Sequence, residues 1–308
     1  MPATADRFLI LLAVAAVAAA CGGSRPVTIR SNSVVLIRGH HVVADVPVQG
    51  SATRLTYGDG AFWAAVPDRA SVVRIDADSH DAVRVRLGAR PFDVAVGAGA
   101  LWVPDHDTRS LFRVDLETRR VTAAINLGEG GIEAGVGFSS VWVVVVSGRL
   151  LRIDPETLKI TGSVPNAATT AEGMEPKLAF GPDAIWVASP ASQTLARIDP
   201  RSLRLSTQSL GRATGAAYGA DALWVTDGVR YVWRLGMPRT RRVAAGSYPV
   251  DVDADSEGAW VVSYDDHALH EIERDGSRRA WRMQLPRVPS AVAVGDELVA
   301  VAVGGPPL

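Results

Sequence analysis

The chain has 308 residues, a formal net charge of −1 and 47% hydrophobic residues. That apolar content is ample for a large core, and the near-zero charge excludes a general nucleic-acid binder, which carries a basic footprint. The single cysteine, Cys21, excludes an intrachain disulfide and a zinc site built on several thiolates.

In chain order, Met1–Arg7 is a short leader and Phe8–Ala20 is continuously apolar. These 13 residues are too few to cross a bilayer, which needs roughly 20, and they fit the hydrophobic region of an export signal. The tract Ala18-Ala19-Ala20-Cys21-Gly22 resembles the bacterial lipobox. That resemblance implies that Cys21 receives a diacylglyceryl group and becomes the first mature residue. The expected organisation is a signal peptide over 1–20, the lipidated cysteine and a tether over 21–32, and a folded domain over 33–303. The protein is then exported and anchored to the outer surface of the cell membrane by acyl chains, without a transmembrane helix.

The remainder repeats itself. Aligned on tryptophan, the copies read GDGAFWAAV around Trp63, GAGALWVPD around Trp102, GFSSVWVVV around Trp142, GPDAIWVAS around Trp186, GADALWVTD around Trp224 and DSEGAWVVS around Trp260. Their spacings are 39, 40, 44, 38 and 36 residues, and a seventh copy places Ala300 where the tryptophan would stand, 40 residues on. In each copy a short apolar strand, such as Phe92–Val96, precedes a Gly/Asp turn and the tryptophan strand. A third strand then ends in Arg-Ile-Asp or a close variant (Arg74-Ile75-Asp76, Arg152-Ile153-Asp154, Arg197-Ile198-Asp199). Turns such as Asp154-Pro155-Glu156-Thr157 lead into a fourth strand, as Asp bonds nearby amides and Pro presets φ. Four short strands per repeat of this length predict a propeller blade, and blades must stack around an axis to bury their faces. The tryptophans, inside apolar strands, read as packing between blades rather than as a ligand cage.

The last copy supplies two strands, Ala291–Val294 and Leu298–Val303, and the missing two stand at the start of the domain, Val34–Arg38 and His41–Val48. The expected fold is all-β, a seven-bladed propeller whose ring closes when N-terminal strands c and d pair with C-terminal strands a and b. Closure leaves no exposed sheet edge. The ALWVTD-type tracts and the RIDP turns resemble the virginiamycin B lyase-like and YVTN-type propellers of bacterial exported proteins. The resemblance covers nearly all of 33–303 and speaks to architecture more than activity.

Two sets of residues are candidates for function. The residue nine places before each aligned tryptophan position is Arg54, Asp93, Glu133, Lys177, Gly215, Asp251 and Ala291 around the ring. Propeller symmetry gathers these at the channel mouth, with Arg54 expected beside Asp93 and Lys177 beside Glu133. The competing reading is structural, with neighbouring charges neutralising one another and bonding free amides at strand ends. The second set lies on loops expected to share one face: Asp68, Asp105, His106, Asp107, Asp227, Asp265, Asp266 and His267 between strands b and c, and Glu129, Glu172, Glu175 and Arg212 between blades. A divalent cation is the cofactor these loops could hold, at Asp265, Asp266 and His267 or at His106 between its two aspartates. His40, His41, His80 and His270 read as exposed or turn residues.

The lyase resemblance implies metal-assisted opening of a cyclic ester, which needs a base at a carbon-bound proton. That family's His beside Pro is replaced here by Phe92 and Val250, and its Thr-Glu by Thr226-Asp227. The favoured expectation is therefore a monomeric binding scaffold for an exported protein, a cell-wall fragment or a small ligand, with the lyase as the alternative.

Overall fold

The computed structural model describes residues 27–236 and 239–304; the expected signal peptide and Cys21 lie outside them. The described residues form seven sheets of four antiparallel strands. Blade 1 spans 54–86, blade 2 95–126, blade 3 131–164, blade 4 177–209, blade 5 215–244 and blade 6 249–284. Blade 7 joins Pro289–Gly295 and Leu298–Val303 to Ser33–Arg38 and His41–Pro47. Its seam runs in unbroken register from Ser33 opposite Val303 to Arg38 opposite Leu298. No α-helix occurs among the described residues; Pro67–Arg69 forms one 3-10 turn.

The core lies between blades. Trp63, Trp102, Trp142 and Trp224 are fully buried. Each packs into the next blade: Trp63 near Val94 and Val103, Trp102 near Val141 and Val143, Trp142 near Val187, Trp224 near Val261. The indole N–H of each donates to a carbonyl five residues upstream, Gly58, Gly97, Gly137 and Gly219 respectively. Gly58 is needed for close approach, because a Cβ there would stand 2.6 Å from Val96 of the next blade.

Trp63, Trp102, Trp142, Trp186 and Trp224 each sit in register with the arginine of the Arg-Ile-Asp tract or its variant. Each guanidinium lies 5.7–6.0 Å from its indole centroid. The aspartates close the next turn as expected. Asp154 Oδ1 accepts from the amides of Glu156 (2.9 Å) and Thr157 (2.8 Å), and Asp199 Oδ1 does the same for Arg201 and Ser202. Those amide bonds hold both carboxyls below their ordinary range.

One expected strand is shorter than its sequence suggests. In blade 2 the innermost strand is Ala95–Gly97, while Pro91 makes an isolated bridge to Asp105 and Phe92–Val94 leave the ladder. Blades 3, 6 and 7 break register at the same place, between Gly131 and Glu133, Pro249 and Asp251, and Pro289 and Ala291. A bulge bends a strand and re-aims the next side chain. Here it stands immediately before the ring position, which is charged in blades 3 and 6 (Glu133, Asp251) and is Ala291 in blade 7.

Candidate functional site at the channel mouth

The innermost strand of every blade has one free edge, and its amides face the channel. Asp93 Oδ2 accepts from the amide of Ala134 (2.9 Å), Glu133 Oε1 from Leu178 (3.2 Å) and Asp251 Oδ2 from Val292 (3.1 Å). In each case the donor is the residue after the ring position of the next blade. Asp253 repeats the pattern one step deeper, accepting from Val294 at 2.8 Å. The carboxylates thus satisfy amides that no fifth strand reaches.

The ion pairs differ from those expected. Arg54 Nε lies 3.8 Å from Glu133 Oε2 and Lys177 Nζ lies 3.9 Å from Asp251 Oδ1, so each cation reaches two blades on. Arg54 does not pair closely with its neighbour Asp93, nor Lys177 with Glu133. The acids lean toward the following blade to reach its amides, and the long cations cross the channel on a chord. Gly215 leaves the ring position between Lys177 and Asp251 without a side chain. Arg54 also reaches Glu175 Oε2 at 4.0 Å.

Arg54, Asp93, Glu133 and Asp251 are all buried. Burial pulls the Arg54 guanidinium down, but Glu133, Asp93, Glu175 and Asp251 outweigh it and hold it charged. Burial, then the charge of Asp93, pushes the Glu133 carboxyl up to about 8. Burial likewise pushes Asp93 up and Asp253 up to about 7. Glu133 Oε2 and Arg54 Nε lack hydrogen-bond partners.

Two cavities meet at this ring. The inner one, of about 240 Å³, is lined by Asp93, Glu133, Lys177, Asp251 and Asp253 among apolar strand residues. The outer one, of about 100 Å³, opens on the loop face and shares Lys177 and Asp251 with it. Its walls include Arg54, Glu175, Arg212, Tyr248 and Tyr264. Arg212 lies over Tyr248 with its guanidinium carbon 5.9 Å from the ring centroid, and Tyr248 meets Tyr264 edge-on at 5.9 Å. The two tyrosines are absent from the candidates read off the sequence. Their signal was position alone: Tyr248 stands three residues before Asp251, and Tyr264 directly follows the tryptophan strand of blade 6.

The remaining loop candidates do not converge there. Asp105 is buried at the end of its strand, where Oδ1 accepts from the amide (2.6 Å) and hydroxyl (2.7 Å) of Thr108. Asp227 Oδ1 accepts from the amides of Val229, Arg230 and Tyr231, closing a turn. His106 is exposed, with Nδ1 3.2 Å from Asp107 Oδ1. Asp265 and Asp266 bond the hydroxyl and amide of Ser247, and His267 adopts φ +47°. Glu129 pairs with Arg149. Among the described residues no three His, Cys, Asp or Glu side chains come together as a metal-ligand set. His270, read as exposed, is instead fully buried in Ala268–Glu273, where burial, then Arg279 and Arg282, pulls its imidazole down to about 4.

Fold and site together define a seven-bladed propeller with a charged channel mouth. No family model matches the chain, and no curated protein matches it. Among solved structures it is similar to a chain of the Kuenenia stuttgartiensis hydrazine synthase, with a TM-score of 0.68 and 14% identity over 86% of this chain and 95% of that one. That likeness concerns the fold alone, and 1503 solved chains match, a breadth that ties the fold to no one activity.

Proposed function

We propose that the protein is an exported, lipid-anchored binding scaffold whose outer mouth cavity takes a small ligand carrying an anionic group beside an apolar or aromatic part. The observation that carries this reading is the cavity wall itself. Arg54 and Lys177 are engaged by carboxylates, whereas Arg212 lies over Tyr248 beside Tyr264, Val250 and Pro289. A half-buried guanidinium over an aromatic face recognises a carboxylate or phosphate through charge-assisted bonds. The virginiamycin B lyase resemblance is the competing reading, and the residues lining this cavity include no histidine to act as its base.

Native mass spectrometry of protein extracted from its own membranes, followed by titration with the recovered small molecule, tests the site. Arg212→Ala is expected to weaken binding by about tenfold or more, the loss of one charge-assisted hydrogen bond, with the melting temperature unchanged. Binding that survives both Arg212→Ala and Tyr248→Ala would place the ligand elsewhere. A stoichiometric protein recovered by crosslinking in intact cells would make the mouth a protein-docking site instead. Export and anchoring are tested separately, by palmitate labelling and by release of Cys21→Ser from the membrane fraction.

A further inference from the structure

The outer strands of the seven blades differ sharply in charge. Those of blades 2, 3 and 4, Val121–Asn126, Ile160–Val164 and Leu205–Ser209, carry no charged residue, that of blade 7 carries Asp45, and that of blade 1 carries Arg84, half-buried and bonded to Ser71, and Arg86. Those of blades 5 and 6, Arg241–Ala244 and Arg279–Gln284, carry Arg241, Arg242, Arg279 and Arg282 and no acid. All four arginines are exposed. Between the two strands runs an open groove lined by Arg230, Arg278 and Arg279 against the single acid Asp266, with Val229, 65% exposed, at its edge. Arg242 stacks on Tyr231 and Trp233, and Trp281 stands between Arg279 and Arg282 on its strand.

The N-terminal segment meets the propeller at the adjoining boundary of blades 6 and 7. Ile29 packs in the cluster that holds Trp260, Trp281 and Met283 of blade 6, and Arg30 is pinned to Asp45 at 2.7 Å. Only five residues separate Cys21 from Val27, so the two stand at most roughly 20 Å apart at full extension. An acyl anchor at Cys21 therefore keeps the blade 6 side close enough to touch the bilayer, within the roughly 8 Å over which exposed charges act at physiological salt. Within that range exposed arginines interact with anionic headgroups.

We propose that the arginine-rich flank of blades 5 and 6 is a membrane-docking surface for anionic lipid headgroups. It acts with the anchor to lay the propeller on its edge, leaving the mouth cavity reachable from the side. The proposal rests on the lipid-anchored reading for its geometry, but the flank can be tested without the anchor. All 28 strands lie within 27–304, so a chain starting at Val27, checked by circular dichroism for a cooperative melt, isolates the flank.

The experiment is sedimentation with vesicles of phosphatidylcholine, with and without phosphatidylglycerol, at low and high salt. Binding is expected only with phosphatidylglycerol, and it should weaken as salt rises. Joint Arg241→Glu, Arg242→Glu, Arg279→Glu and Arg282→Glu is expected to weaken it by at least about tenfold. The neutral set Arg241→Gln, Arg242→Gln, Arg279→Gln and Arg282→Gln should weaken it too and guards against misfolding of the reversed set. Arg201→Glu with Arg204→Glu, on blade 4, should leave it unchanged. Equal binding to phosphatidylcholine alone, or full binding by both arginine sets, overturns the proposal. So does binding to heparin without binding to vesicles, which would make the flank a site for a soluble polyanion. Failure of palmitate labelling with intact vesicle binding would overturn the anchor and leave the flank standing.

Discussion

Blades 1 to 5 and blades 6 and 7 hold themselves together by different chemistry. In the first five, an arginine of the third strand lies over the tryptophan of the second. In blade 6 the residue opposite Trp260 is Glu271, and in blade 7 Leu36 stands opposite Ala300. There the repeat is replaced by a latch. His40 of blade 7 stacks on Trp281 at 4.4 Å and places Nε2 2.8 Å from Glu271 Oε2, while Trp281 meets Trp260 edge-on. The difference teaches that a repeat can brace each of its own blades with the same device, copy after copy. The junction where the two chain ends meet needs a specific contact, because a stack inside one blade cannot hold that blade to its neighbour.

The sharpest way to break the comparison is to remove the closure. Deleting 33–47 takes both outer strands from blade 7 and exposes the edge of Leu298–Val303. The expected result is loss of the single cooperative melt by circular dichroism, since each blade relies on both neighbours. A truncated chain that still melts cooperatively would mean that six blades stand without the seam. Next in size is Trp142→Ala within the regular blades. The indole is fully buried, so denaturant unfolding should show a loss of about 3–5 kcal/mol. A loss below about 1 kcal/mol would show that blade 3 collapses around the cavity, against the close packing expected of an interior.

The channel mouth comes next, and its effect depends on pH. The folded protein keeps protons on Glu133 and Asp253 that the unfolded chain has released, because burial pushes them up to about 8 and about 7. Their contribution is full below the ordinary carboxylate values and is lost as pH rises toward those figures. His270 acts in the opposite sense: pulled down to about 4, it costs stability as pH falls from its ordinary value of 6.5 toward that figure. Glu133→Gln keeps an oxygen to accept from Leu178 and removes the alkaline loss. Its stability relative to the parent should rise from pH 4.5 to about 8, by at most about 1.4 kcal/mol per pH unit, and level off beyond. Thermal melts across pH would show this; a parallel pair of profiles would mean that Glu133 is ionised throughout.

The same contrast explains what could be read from the sequence. Seven tracts with a shared grammar made the blades, their four strands and the closing seam legible, because each copy repeats the same local instruction. The ring residues were legible for the same reason. Their partners were not. Whether Arg54 meets Asp93 or Glu133 depends on the width of the channel and on the carboxylates turning toward the next blade's amides, and neither is written in local sequence. His270 was misread because a lone polar residue in a strand does not reveal which face it takes. Tyr248 and Tyr264 were missed because they belong to a single blade boundary that no other copy repeats.

The smallest expected effect bears most directly on the latch. His40 and Glu271 are 49% and 27% exposed on their side chains, so water and salt screen the pair, and a double-mutant cycle of His40→Ala and Glu271→Gln should return a coupling of less than about 1 kcal/mol. Glu271→Arg would install over Trp260 the stack that the first five blades use, while taking away the partner of His40. The gained cation–π contact, worth about 0.5–1 kcal/mol, should offset the lost pair, leaving the melting temperature nearly unchanged. A clear loss in Glu271→Arg would show that blade 6 has given up the repeat's stack in exchange for closure. A clear gain would show that the stack is the stronger device even beside the seam, and that His40 holds blade 7 through Trp281 alone.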